Sequence, residues 1–418
     1  MTRAMKGIHV ERPCLYWYNG KGAAERTIRC TPTESRIGGE EAGQEALPGS
    51  RLDFGRKGHL DMRRLGWFAL VLAVLFFSSC GEDGTEDNPE TTACQDVVPS
   101  PYGLWSEFLE PEEVLTQVPS LKEHGIGLYQ NIRSEDIGDP GFASLFEEAA
   151  CRGLEVRAWL TLPELEGYWP NEKNVERFQT EALRLADWIR SSGWAVDWIV
   201  VDMEPDLQML TTLIELFEEG NVLGALRLLI SNRDVDSYQM ALDKYVAMVE
   251  TMHGMGFKVM AVTMPMVLDD ISDDDAMIQD VLNIPVDQVP WDEFSFMAYT
   301  TTIGRLLQTE LSSNLVFSYG RDAVKAYGEK AAIDLGIIGN EGMVSEEGMT
   351  DVEEIRAQVG AAKEAGLTRI HAYSLDGIVH LDEQDPWYES FQAPPTSPDK
   401  EPAVSLFRGV LQFLDRLF

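Results

Sequence analysis

The segment "VDWIVVDMEPD", residues 196–206, reads as a buried β-strand that ends in carboxylates. Side chains alternate along a strand, so Val200, Asp202 and Glu204 point one way while Ile199, Val201 and Met203 point the other. An ionised carboxylate is expensive to bury, and one so placed shifts its pKa until it is neutral. Two together at a strand end therefore suggest a chemical task. The plain alternative is a strand running out into a solvated acidic loop.

Which of these holds depends on what else the fold brings to the same place. From Pro101 onward, apolar runs alternate with helical periodicity. Strand candidates are 102–108, 126–132, 154–162, 196–204, 257–265, 293–300, 331–338 and 369–375. The segments between them have the 3.6-residue pattern of amphipathic helices, and several end in a glycine just before the next strand, a C-cap signal. Eight such units in about 300 residues predict a (β/α)8 barrel, an α/β fold also called a TIM barrel. An open doubly wound sheet is less suited, because no Gly-rich phosphate loop follows the first strand. The last helix is expected either at 386–392 or in "AVSLFRGVLQFLDRLF" at the C-terminus. A helical insertion, residues 207–233, directly follows the fourth strand. Barrel sites sit at the C-terminal strand ends, so this insertion is expected to wall the site.

The strand ends are rich in aromatic and acidic residues. The first supplies Trp105 and Glu107; the second Gln130, Asn131 and Arg133; the third Trp159 and Glu164, followed by Tyr168 and Trp169. The fourth supplies Asp202, Glu204 and Asp206, the sixth Tyr299, the seventh Asn340 and Glu341, and the eighth Tyr373, Ser374 and Asp376. Sugar rings offer apolar C–H faces and many hydroxyls, so flat aromatic faces beside carboxylates suit a carbohydrate cleft. Trp105, Gln130, Trp159, Asp206, Tyr373 and Asp376 are the expected substrate-binding residues.

The stretch from Met62 has two arginines, an apolar run from Leu65 to Phe77, Ser78 and Ser79, then Cys80. That order is the layout of a secretion signal, and the run is shorter than the roughly 20 residues a membrane-spanning helix needs. The small-small-Cys ending resembles the lipobox of bacterial lipoproteins, which implies removal of residues 62–79, lipidation of Cys80 and a protein tethered to the cell envelope through its N-terminal lipid. Residues 1–61 are then an upstream extension, 80–100 an acidic flexible tether, and 101–418 the barrel domain with its C-terminal helix.

The chain has a net charge of −36. Residues 1–79 hold 12 of the 34 basic and 8 of the 70 acidic residues, leaving 22 against 62, a net charge of −40. Nucleic acid is excluded as a partner by that field, and strongly anionic polymers are disfavoured. The histidines and cysteines lack metal-ligand spacing, so no metal or other cofactor is expected. Spacing leaves open whether Cys94 and Cys151 pair.

"DWIVVDME" resembles the DGxDxDxE motif of family 18 glycoside hydrolases, the chitinase-like barrels, with Asp197, Asp202 and Glu204 in register and Val200 replacing the middle Asp. "FMAYT", through Met297 and Tyr299, is similar to that family's M-x-Y motif. "HAYSLD" is similar to its M-x-W-S-L-D ending, with Tyr373 in place of Trp. The resemblance implies substrate-assisted, retaining hydrolysis of an N-acetylated oligosaccharide or polysaccharide. Glu204 would be the general acid, Asp202 would orient the substrate's acetamido group, and Tyr299 would hydrogen-bond the acetamido oxygen. The third strand lacks the family's S-x-G-G turn. Two other readings stay open: a glycosidase of another barrel clan, with Glu204 as acid and Glu341 as nucleophile, and a tethered carbohydrate-binding protein without turnover.

Overall fold

The described residues of the computed structural model are 94–271, 276–339, 342 and 348–416. The expected signal and lipidation site, Cys80 included, lie outside them, as do Asn340 and Glu341.

Eight parallel strands close into one barrel in sequence order. They are β1 (Tyr102–Ser106), β2 (Ile126–Arg133), β3 (Val156–Thr161), β4 (Trp198–Met203), β5 (Lys258–Thr263), β6 (Glu293–Met297), β7 (Ala331–Gly336) and β8 (Ile370–Tyr373). Pairing of β1 with β8, Trp105 opposite Tyr373, completes the circle. Nearly every strand residue is buried, because side chains meet helices on one face and the barrel interior on the other. This explains why the runs read as almost continuously apolar.

The outer layer begins with α1 (Pro111–His124), α2 (Pro140–Cys151) and α3 (Val175–Ser192). Pro111 and Pro140 stand in the first turns of α1 and α2, where a missing N–H costs nothing, and Asp139 caps α2 by accepting from Gly141 N. The insertion after β4 forms α4 (Leu207–Glu218) and α5 (Val222–Asn232), and α6 (Val235–Met255) then leads to β5. Two short helices follow β5, α7 (Val267–Asp270) and α8 (Met277–Leu282). After β6 come α9 (Thr300–Leu307) and α10 (Asn314–Tyr327), and after β7 comes α11 (Val352–Glu364).

Beyond β8 lie α12 (Leu375–Val379), α13 (Asp385–Ser390) and α14 (Pro402–Asp415). Both segments that the sequence offers as a last helix are therefore helical. They do different work: α13 packs on α1 and α11 and fills the ring, while α14 lies against α7 and α10. Arg408 of α14 reaches inward to the buried carboxylate of Asp269 at 2.7 Å. A disulfide joins Cys94 to Cys151, tying the entry of the domain to the end of α2. Among the described residues no helix is long and apolar enough to cross a membrane.

Strand parity sorts the core into two parts. Ile199, Val201 and Met203 belong to the layer between sheet and helices, whereas Trp198 and Val200 belong to a separate cluster inside the barrel. That inner cluster also holds Trp105, Tyr129, Trp159, Met260, Val262, Met297 and Tyr373. Charged residues share the interior. Arg157 bonds Glu293 at 2.8 Å and lies 3.4 Å from Glu155, while Arg369 bonds Glu293 at 2.7 Å. A buried guanidinium shared between carboxylates offsets charges that would each be costly alone.

Candidate functional site

The β4 parity carries Asp202 and Glu204 to the C-terminal rim on the inner side, where they are 5 % and 8 % exposed. Both line a pocket together with Trp105, Glu107, Trp159, Trp169, Tyr299 and Tyr373. Val200, where the family motif has Asp, is fully buried beneath Asp202 among Met260 and Val262. Burial, then the charges of Glu204, Glu107 and Asp334, push the Asp202 carboxyl well above the usual carboxylate range. Asp202 Oδ1 has no hydrogen-bond partner among the described residues, so it is free to accept from a ligand.

Tyr299 follows β6 and Tyr373 ends β8; their rings lie 6.2 Å apart. Gly336 on β7 makes room for this pair. A Cβ there would come within 3.1 Å of the Tyr299 ring and 3.0 Å of the Tyr373 carbonyl. Burial holds both phenols far above their usual range, so each stays a neutral hydroxyl that can donate a hydrogen bond. Trp105 is fixed from below, its indole N–H donating to Asp334 at 2.7 Å, and it meets Trp159 edge-on at 5.1 Å.

Three residues expected at the site lie elsewhere. Gln130 sits on the even-numbered side of β2 with Leu128 and Ile132, which face the helices, and does not line the pocket. The inward position is its neighbour: Asn131 bonds Thr161 at 3.1 Å. Asp206 caps α4, accepting from Gln208 N and Met209 N. Asp376 accepts backbone N–H groups of Glu107, Phe108 and Leu109 at 2.7–3.0 Å, and so fixes the loop after β1. Asp197 is exposed before β4, its carbonyl accepting from Lys258 N.

The loop that Asp376 fixes carries Glu107, which the sequence offers among the strand-end candidates but not among the expected catalytic or substrate-binding residues. Glu107 continues the inward parity of Gly103 and Trp105, and its two oxygens accept from the hydroxyls of Tyr168 and Tyr373. Both phenols favour the anion, yet burial outweighs them and raises the carboxyl to about 7. The folded chain thus holds a proton that the unfolded chain releases near 4.5, so this group's contribution to stability falls as pH rises from about 4.5 through 7. Its full contribution is on the order of 3 kcal/mol. Glu107→Gln is expected to flatten the fall of the melting temperature across that window. Parallel curves for variant and parent would place the Glu107 proton elsewhere.

On the opposite wall, Met264, Pro265 and Met266 follow β5, and Leu210 and Ile214 of α4 close the side. The insertion after β4 therefore walls the site. A (β/α)8 barrel whose rim gathers three carboxyls among tryptophans and tyrosines defines the class of protein this chain represents.

No protein-family model matches the chain, and no curated protein matches it. Solved structures similar to it include a D-psicose 3-epimerase crystallised with D-fructose (9 % identity, TM-score 0.39), covering 74 % of this chain and 99 % of that one. Another is a sugar phosphate isomerase/epimerase from Parabacteroides distasonis ATCC 8503 (12 % identity, TM-score 0.38), covering 72 % of this chain and 96 % of that one. A third is the malate synthase of Haloferax volcanii (11 % identity, TM-score 0.38), covering 76 % and 82 % of the two chains. These likenesses concern the barrel architecture, which hosts many chemistries.

Proposed function

We propose that this chain is a glycoside hydrolase that cleaves an N-acetylated glycan by substrate-assisted, retaining hydrolysis. The observation that carries this reading is the meeting of Asp202, Glu204 and Tyr299, drawn from β4 and the end of β6, in one pocket with Tyr373 and the indoles of Trp105, Trp159 and Trp169. Asp202 and Glu204 are close enough for the charge of one to hold a proton on the other, and such a pair titrates as a unit. An acetamido N–H donated to Asp202 would stabilise its anion and leave the proton on Glu204. Glu204 then gives that proton to the glycosidic oxygen as the C–O bond breaks. The acetamido oxygen attacks the anomeric carbon, held by the Tyr299 hydroxyl. Water later opens the resulting ring and returns a proton to Glu204.

A second reading draws support from Glu107. Its carboxyl is oriented by two phenols and sits near neutrality in the same pocket, so it could serve as the second carboxyl of a two-carboxylate mechanism in place of Glu341. One experiment separates the two. The purified protein is offered paired oligosaccharides that differ only in carrying an acetamido or a hydroxyl group at the sugar beside the cleaved bond. Cleavage confined to the acetamido series is the expected result. Equal cleavage of both series would favour the two-carboxylate reading, and binding without cleavage of either would favour a carbohydrate-binding protein.

A further inference from the structure

The carboxylate pocket shares a wall with a second cavity of about 450 Å³, built where α4, α5, α8, α9 and α14 converge. Leu210, Ile214, Met264, Met266 and Leu306 line both. Of the described residues whose side chains line the second cavity, only Gln308 is polar. Water there finds almost no hydrogen-bond partners, so the contents such a lining favours are hydrocarbon. The volume lies in the range of small-molecule sites, roughly 300–1,000 Å³. The methionines in the shared wall are unbranched and can shift to admit a chain.

Two of the helices around this cavity also present apolar side chains outward. On α5 this is Leu223, 69 % exposed, beside Val222 and Ile230, which line the cavity itself; on α14 they are Leu406, Val410 and Phe413, 70 %, 47 % and 65 % exposed. Exposed apolar residues gathered on the helices that roof an apolar cavity suit contact with a lipid or micelle surface. The net charge of −36 disfavours an anionic surface and an anionic molecule drawn from it.

We propose that the second cavity receives the long, uncharged alkyl or acyl chain of a sugar derivative whose sugar occupies the carboxylate pocket. The inference rests on the sugar-binding reading above and names the substrate class as amphipathic glycosides. It gives α4 and α5 a use that a short, fully polar glycan would not require.

The test is calorimetric titration of the full chain with n-alkyl N-acetylglucosaminides from methyl to decyl, below their micellar concentrations, and in parallel with n-alkanols of the same lengths. Affinity for the glycosides is expected to rise about threefold to fourfold per methylene beyond butyl. Leu226→Gln on α5 and Leu411→Gln on α14 should each reduce that slope, and Leu226→Trp, which fills space, should stop the rise at a shorter chain. Thermal melting of each variant shows that it is folded. A flat chain-length series, or a slope the three folded variants leave unchanged, overturns the proposal, even if N-acetylated oligosaccharides are cleaved. A steep, variant-sensitive glycoside series without any cleavage upholds the proposal and removes the hydrolase reading instead. Alkanols that bind while alkyl glycosides do not overturn it, since the chain would then enter without its sugar.

Discussion

Glu204→Gln is expected to lower turnover of an N-acetylated glycoside with an ordinary sugar leaving group by about 10²–10⁴-fold while leaving sugar binding in place. Glutamine keeps the size and hydrogen-bonding capacity of the carboxyl but has no proton to transfer. The loss should depend on the leaving group. A nitrophenolate leaves without protonation, so the same variant should lose much less on a nitrophenyl glycoside, and the contrast isolates acid catalysis from a general disturbance of the pocket. Measuring kcat on both substrates, with binding of an N-acetylated oligosaccharide followed separately, gives the comparison. Unchanged kcat on the sugar leaving group would reject Glu204 as the acid. An equal loss on both substrates would assign it a positioning role.

Much of this arrangement was legible because two periodicities are simple. A period of two along the fourth strand places Asp202 and Glu204 on one face, and eight alternating runs leave few closed architectures other than a barrel. All eight strands form where the apolar runs predict them, although seven end one to three residues early, β6 at Met297 by the most, and β2 runs one residue further to Arg133. The expectations for Gln130, Asp206 and Asp376 rested on nearness to a strand end, which says nothing of direction. In β2 the shift of one residue from Asn131 to Gln130 turns a side chain from the interior to the helix layer. Asp206 and Asp376 are taken up by backbone donors, a use that short acidic side chains fill wherever a helix starts or a loop needs fixing.

Glu107 and Asp334 show the converse. Each lies on the inward parity of its strand, and in "AAIDLG" the single Asp stands out between apolar neighbours. Glu107 stands among the strand-end candidates and parity also points to Asp334, but their partners come from the loop after β3 and from other strands. Asp334 accepts from Trp105 and Ser295, more than two hundred and about forty residues away in sequence. No local pattern encodes those meetings. The apolar cavity was hidden for a similar reason. "VLGALRLLI" reads as an amphipathic helix, and only the packing of α5 near α14, far along the chain, makes it a wall.

Asp202→Asn tests the division of labour within the carboxylate pair. Burial is the largest cause that keeps Asp202 protonated, and the Glu204 charge is the next. With substrate bound, the acetamido N–H favours the Asp202 anion, whose charge then helps to keep the proton on Glu204 until the leaving oxygen takes it. Asparagine can still accept from the acetamido N–H but cannot carry the charge. Two effects are expected together. Turnover of N-acetylated substrates should fall by about 10²-fold, since the attacking amide loses the anion that orients it and stabilises the positive charge it develops. The alkaline limb of the kcat profile should also move to lower pH, because Glu204 ionises more readily once the neighbouring carboxylate is gone. The direction matters: a carboxylate acting as a base would lose activity on the acid side instead. Turnover that falls with the alkaline limb unmoved would mean that Asp202 orients substrate without holding the Glu204 proton. A limb that moves to higher pH would contradict the proposed charge on Asp202 altogether.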